Sequence, residues 1–166
     1  MAEAREILCE QTAMMHARML EMGGPDYDVE IHRRAFWDKF DRVLPPHGSY
    51  YLAVDDAGVV VGTGALRSVR AGVAEMKHLF VAERMRRSGL GRALVMARLA
   101  DAQEMGIRTV IADTFVCNHE MRALYGDIGF AEVPPFAESA TADLSPDLRE
   151  FMAFYRYDMP SVGATE

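Results

Sequence analysis

Residues 86–93 read Arg-Arg-Ser-Gly-Leu-Gly-Arg-Ala, two glycines one residue apart among three arginines. This segment joins two runs of different period. Before it, EMKHLFV (75–81) has the composition of a strand. After it, residues 89–105 place Leu90, Ala93, Leu94, Ala97 and Ala100 at i, i+3, i+4 spacing, a helix that Gly106 stops. Such a strand–turn–helix unit leaves the first N–H groups of the helix without partners, at the positive end of its dipole. Glycines let a bulky anion approach that backbone, and arginines add charge-assisted hydrogen bonds, so phosphate is the guest that suits it. The plainer reading is a tight turn with solvated arginines. The P-loop pattern is absent, and a dinucleotide fingerprint would need Gly or Ala where Leu94 stands. What remains is a phosphate cradle built on one helix.

The flanking sequence supplies the rest of an α/β fold. Residues 3–22 have helical periodicity through Ile7, Met14, Met15 and Met19, ended by Gly-Gly-Pro at 23–25. A second helix is expected over 29–43, with Ile31, Ala35, Phe36 and Phe40 on one side. Residues 49–69 read as two strands joined at Asp56-Ala57-Gly58. TVIADTF (109–115) is an apolar strand of the kind buried on both faces. Asn118 is placed to cap a short helix carrying Met121, Leu124, Tyr125 and Ile128, closed by Gly129-Phe130. EVPPF, an acidic loop and the strand FMAFYRYDM (151–159) complete the chain. The order α-α-β-β-β-α-β-α-β-β implies a mixed sheet with helices on both faces, in a single domain over 1–166.

Composition excludes several classes. With 18 Lys+Arg against 25 Asp+Glu, the net charge of -7 argues against a general nucleic-acid binder. Cys9 and Cys117 have no CxxC spacing, and the five histidines are scattered, so neither a disulfide nor a metal site is expected. The opening MAEAREILCEQ lacks the apolar segment of a secretory signal, and no apolar run approaches the ~20 residues that span a bilayer. A reduced, cytoplasmic protein with no membrane contact is the expectation.

Two blocks, in order, resemble the GNAT superfamily of acetyl-CoA-dependent N-acetyltransferases. Arg86-Arg87-Ser88-Gly89-Leu90-Gly91 matches its pyrophosphate motif, Gln/Arg-x-x-Gly-x-Gly/Ala. NHEMRALYGDIGF, from Asn118 to Phe130, matches its second block in loose form. The strand AEMKHLFV and the turn PPF look like those of bacterial small-molecule members. The resemblance implies a mostly antiparallel twisted sheet in which strands 75–81 and 109–115 are parallel and splay apart around coenzyme A. Residues Leu79, Phe80 and Val81 would then line the pantetheine arm, with Asn118 bonded to it. The pyrophosphate would lie on N–H groups of residues 87–92, including Arg92. Members usually begin with a strand, whereas this chain starts almost directly in a helix.

The same resemblance implies amine attack on a thioester, needing a base, an oxyanion donor and an acid for the thiolate. Val81 N–H is the candidate oxyanion donor. Glu75 is the candidate base, because strict alternation puts it on one face with Lys77, Leu79 and Val81; an ordinary ion-paired glutamate is the alternative. His78 then faces the other way as a packing residue, and His119 is exposed. Tyr125 is the candidate acid, against the alternative of a core tyrosine; Cys117 is a bystander. The implied acceptor is a small-molecule primary amine, with direct transfer in a ternary complex and no metal; a homodimer is compatible. A peptide amine, or a non-catalytic CoA-binding role, are the alternatives.

Overall fold

The computed structural model describes residues 1–160; the expected domain span of 1–166 includes residues 161–166, which lie outside the described residues. The helices are α1 (Ala2–Glu21), α2 (Val29–Asp38), α3 (Leu90–Glu104), α4 (His119–Ile128) and α5 (Ala140–Leu144). The strands are β1 (Gly48–Val54), β2 (Val60–Arg70), β3 (Val73–Val81), β4 (Thr109–Phe115), β5 (Ala131–Val133) and β6 (Met152–Asp158). They form one sheet in the order β1-β2-β3-β4-β6-β5. Only β3 and β4 pair in parallel; every other pairing is antiparallel. Among the described residues no strand precedes α1, so β1 forms that edge of the sheet.

Apolar periodicity decides which face each helix covers. Val95, Leu99 and Ala102 of α3 and Met121 and Tyr125 of α4 bury against Leu66, Met76 and Val110 of the sheet. Truncating such a residue, Leu66→Ala for instance, costs about 2–5 kcal/mol through lost transfer energy and a residual cavity. On the opposite face Ile7 of α1 packs on Val61 and Phe80. The expected second helix is shorter than 29–43: α2 stops at Asp38 and a tight turn, Phe40–Val43, follows. Ile31, placed on its apolar side by the pattern, is 47% exposed, while Asp28 supplies the cap by accepting from Glu30 and Ile31 N–H.

Two irregularities shape the site. First, parallel pairing of β3 and β4 ends at Met76 opposite Ala112, so Lys77–Val81 and Asp113–Phe115 diverge. Second, Thr63 faces Phe80 but Ala65 faces Lys77, so β3 holds one residue more than β2 over that step. This is a β-bulge at His78 and Leu79, with His78 at φ 53. Arg98 of α3, fully buried, braces it from below: Nη1 donates to the Ala65 carbonyl at 3.0 Å and the Lys77 carbonyl at 3.3 Å. Gly64 makes room for this guanidinium, since a Cβ there would lie 3.0 Å from Arg98 Cζ. Burial lowers the Arg98 pKa to about 10, opposed in part by Tyr125 and Asp101.

Candidate active site

The bulge corrects the strict alternation expected of β3. Glu75 sits opposite Arg67 and shares its face with Lys77, but beyond the extra residue that face passes to Phe80, opposite Thr63. Val81, opposite Gly62, therefore points to the α3 side, away from Glu75. His78 is corrected in the same way: it lines one cavity with Lys77 and Arg67, on Glu75's side, and stacks on Phe36 at 4.3 Å. Burial, then the nearby Lys77 and Arg67 charges, push its pKa down to about 3, so it is neutral.

Two cavities meet at the splayed strands, one of about 340 Å³ and one of about 440 Å³. The smaller is lined by Leu79, Phe80 and Val81 of β3, by Arg86, Arg87, Gly89, Gly91 and Arg92, and by Asn118 and Leu124. Gly89 adopts φ 88, a left-handed conformation that only glycine takes cheaply, and opens α3. Arg87 is also left-handed, at φ 61, so the turn curls its N–H groups into a concave, anion-binding form. Arg86 Nε donates to the Val81 carbonyl at 3.3 Å, and Ser88 Oγ donates to the Met85 carbonyl at 2.6 Å. Leu90 is half-buried beneath the turn, packed with Phe80 and Val61. Because Ala82 N–H bonds the Val61 carbonyl, alternation of the antiparallel pair turns Val81 N–H toward the open edge. Asn118 precedes α4 but its side chain does not cap it: Nδ2 donates to Thr114 Oγ1 at 3.0 Å. Across this cavity Arg18 of α1 grips Glu120 of α4 through two 2.8 Å hydrogen bonds, which pull the Glu120 pKa down to about 2.

The larger cavity lies on the α1–α2 face, walled by Tyr27, Phe36 and Phe115 and closed at one side by α5. Gln11 and Met15 of α1 line both cavities. Glu75 does not line it. The carboxylate is fully buried, with Oε2 2.7 Å from Arg67 Nε and Oε1 3.1 Å from Lys77 Nζ. Asp113 of β4 does line it, its side chain 7% exposed and Oδ1 3.8 Å from Lys77 Nζ. The sequence reading missed Asp113; a lone carboxylate inside the apolar run TVIADTF was the available signal. It also missed Gln11, which nothing in the helical pattern of α1 distinguishes.

Tyr125 is 3% exposed, stacked on Phe130 at 4.7 Å and on Tyr155 at 5.1 Å, and lines neither cavity. Burial raises its pKa well above the usual phenol range, so the hydroxyl keeps its proton. Cys117 is buried and Cys9 exposed, both as free thiols, and His119 is exposed as expected. Among the described residues no group of three or more metal-ligating side chains converges, and no helix is long and apolar enough to cross a membrane.

A helix N-terminus with a glycine–arginine turn, set against parallel strands that part beside it, makes an anion site that opens onto a cleft in the sheet. Residues 16–130 match the model of the acetyltransferase (GNAT) family, and the chain belongs to that family. Enzymes of this family use acetyl-CoA. It is 34% identical over 92 residues to mouse N-acetyltransferase family 8 member 3, covering 52% of this chain and 41% of that one. The chain thus spans about two fifths of the length of the first mammalian relatives it matches. In fold it resembles a GNAT acetyltransferase from Staphylococcus aureus Mu50, with TM-score 0.68, 18% identity and 93% and 92% of the two chains covered. A Bacillus anthracis acetyltransferase solved in complex with acetyl coenzyme A aligns with TM-score 0.57 and 17% identity, over 72% of this chain and 66% of that one.

Proposed function

We propose that the protein transfers an acetyl group from acetyl-CoA to the primary amine of a small molecule, directly, in a ternary complex. The observation that carries this reading is the meeting of two separate cavities at the splayed strands, with only Gln11 and Met15 common to both walls. The smaller takes acetyl-CoA: N–H groups of residues 87–92 hold the pyrophosphate, and the pantetheine arm lies along the edge of β3 that β4 leaves as the strands diverge. The larger takes the amine. Its volume, about 440 Å³, and its aromatic wall suit a compact molecule with an apolar body.

The amine arrives as an ammonium ion and loses one proton to become a nucleophile. Its lone pair attacks the thioester carbon while Val81 N–H stabilises the oxyanion. As the C–S bond breaks, the departing thiolate takes a proton, for which the buried Tyr125 of α4 is the candidate donor, and the nitrogen, now an amide, releases its second proton to solvent. The net release is one proton per turnover. Glu75 enters at one remove, as the counter-ion that fixes Arg67 and Lys77 beside the amine. A reduced cytoplasm suits the two free thiols.

A panel of primary amines, read by thiol release from acetyl-CoA, tests the proposal. Acetylation of one or more small amines is expected. A protein that binds acetyl-CoA but acetylates no small amine would be a peptide acetyltransferase or a non-catalytic domain, distinguished by the same assay with peptides.

A further inference from the structure

Two buried acceptor atoms on residues that line the larger cavity have no hydrogen-bond partner among the described residues: Gln11 Oε1 and Asp113 Oδ2. The Gln11 amide is fixed in orientation, because its Nε2 donates to the Leu79 carbonyl at 3.2 Å. Turning it over would set two oxygens against each other, so Oε1 must face away from β3. Asp113 is held with Oδ1 toward Lys77, 3.8 Å away, which leaves Oδ2 unpaired. It is the first residue of β4 beyond the last parallel pair, where the strands open. Both orphans are acceptors, and both residues line the larger cavity. What completes them is a hydrogen-bond donor, which an amine supplies.

Building on the amine-acetylation reading above, we propose that Asp113 and Gln11 receive the acceptor amine: Asp113 takes the ammonium proton, and Gln11 Oε1 holds the nitrogen at the mouth of the thioester cavity. The charged groups about Asp113 are Lys77 and Arg67, with Glu75 already committed to both, while His32 and His78 also face the cavity. Lys77 repels a second cation, and Asp113 is the carboxylate beside it in the cavity wall through which the proton passes on. The proton moves from nitrogen to a carboxylate oxygen and then to solvent; the nitrogen keeps the electron pair. Gln11 lines both cavities, so it marks the place where the lone pair meets the carbonyl carbon.

The test compares acceptors that do and do not need a base. With 2-phenylethylamine, an ammonium ion at neutral pH, Asp113→Asn should lower kcat/KM about 100-fold or more. With phenylhydrazine, whose terminal nitrogen is unprotonated there, the loss should stay below about fivefold. Gln11→Met should raise KM for 2-phenylethylamine about tenfold, the value of one lost hydrogen bond. Acetyl-CoA calorimetry on each variant confirms a folded protein with an intact donor cavity. Equal losses with both acceptors would overturn the proposal, leaving Asp113 a structural partner of Lys77. So would an unchanged KM in Gln11→Met, which decides the matter alone if Asp113→Asn does not fold. If the wild type binds acetyl-CoA yet acetylates neither probe nor any amine of the panel, the broader reading falls and takes this one with it.

Discussion

Arg67 and Glu75 stand opposite each other across β2 and β3, the guanidinium Nε 2.7 Å from a carboxylate with no exposure to solvent. Lys77 bonds the other oxygen, so the carboxylate is enclosed by two cations. Removing one member of such a cluster leaves the others buried and uncompensated, at about 3–5 kcal/mol. Glu75→Gln is therefore expected to lower the melting temperature and to reduce turnover, because Lys77 and Arg67 lose their anchor. Were Glu75 itself the base, the loss would recover as pH rises and the amine deprotonates unaided. As an anchor it should not recover, and a pH–rate profile of the variant separates the two.

Gly89→Glu addresses the turn before α3. The residue has φ 88, and a Cβ there meets no atom within 4 Å, so the change brings backbone strain and a negative charge but no clash. Acetyl-CoA affinity should fall at least about tenfold, since the carboxylate opposes the pyrophosphate at the helix N-terminus. Equal affinity of a folded variant, by calorimetry, would remove the phosphate cradle.

Tyr125→Phe keeps the stacking on Phe130 and Tyr155 and deletes only the hydroxyl. Turnover should drop by about 100-fold with acetyl-CoA affinity unchanged, because a proton donor to the thiolate acts in the transition state. Nearly full activity, with a small change in melting temperature, would identify Tyr125 as a core residue only.

Stability should also fall on mild acidification, through His78. Its folded-state pKa of about 3 lies below the ~6.5 of an unfolded histidine. The unfolded chain binds this proton first, so the contribution is complete above pH ~6.5 and is lost progressively as pH falls toward the folded value. The slope is at most ~1.4 kcal/mol per pH unit. His32, also lowered by burial, acts with the same sign. In His78→Asn, which tolerates the left-handed backbone, the melting temperature should fall less between pH ~7 and ~5. An identical fall in both proteins would assign the acid sensitivity elsewhere.

The donor half of the site was legible because its determinants are local. The turn of residues 86–91, its preceding strand and its following helix are contiguous, and each carries its own periodicity or glycine. The acceptor half was not, because its walls come from α1, α2, β4 and α5, brought together only by folding. The bulge left no mark either: an extra residue in a strand changes no composition, and the left-handed position is filled by His78, not glycine. Strict alternation then carried Val81 to the wrong face. Asn118 misled differently, since a capping residue type at a helix start turned its amide to Thr114 instead.

The single extra residue in β3 divides the strand's labour by sequence. Lys77 and His78 line the larger cavity, and Leu79, Phe80 and Val81 line the smaller. A chain shortened by one residue at position 78 would keep every other side chain, yet the strand could match only one of its two clients at a time. One amino acid thus decides which cavity each residue of the strand's second half faces.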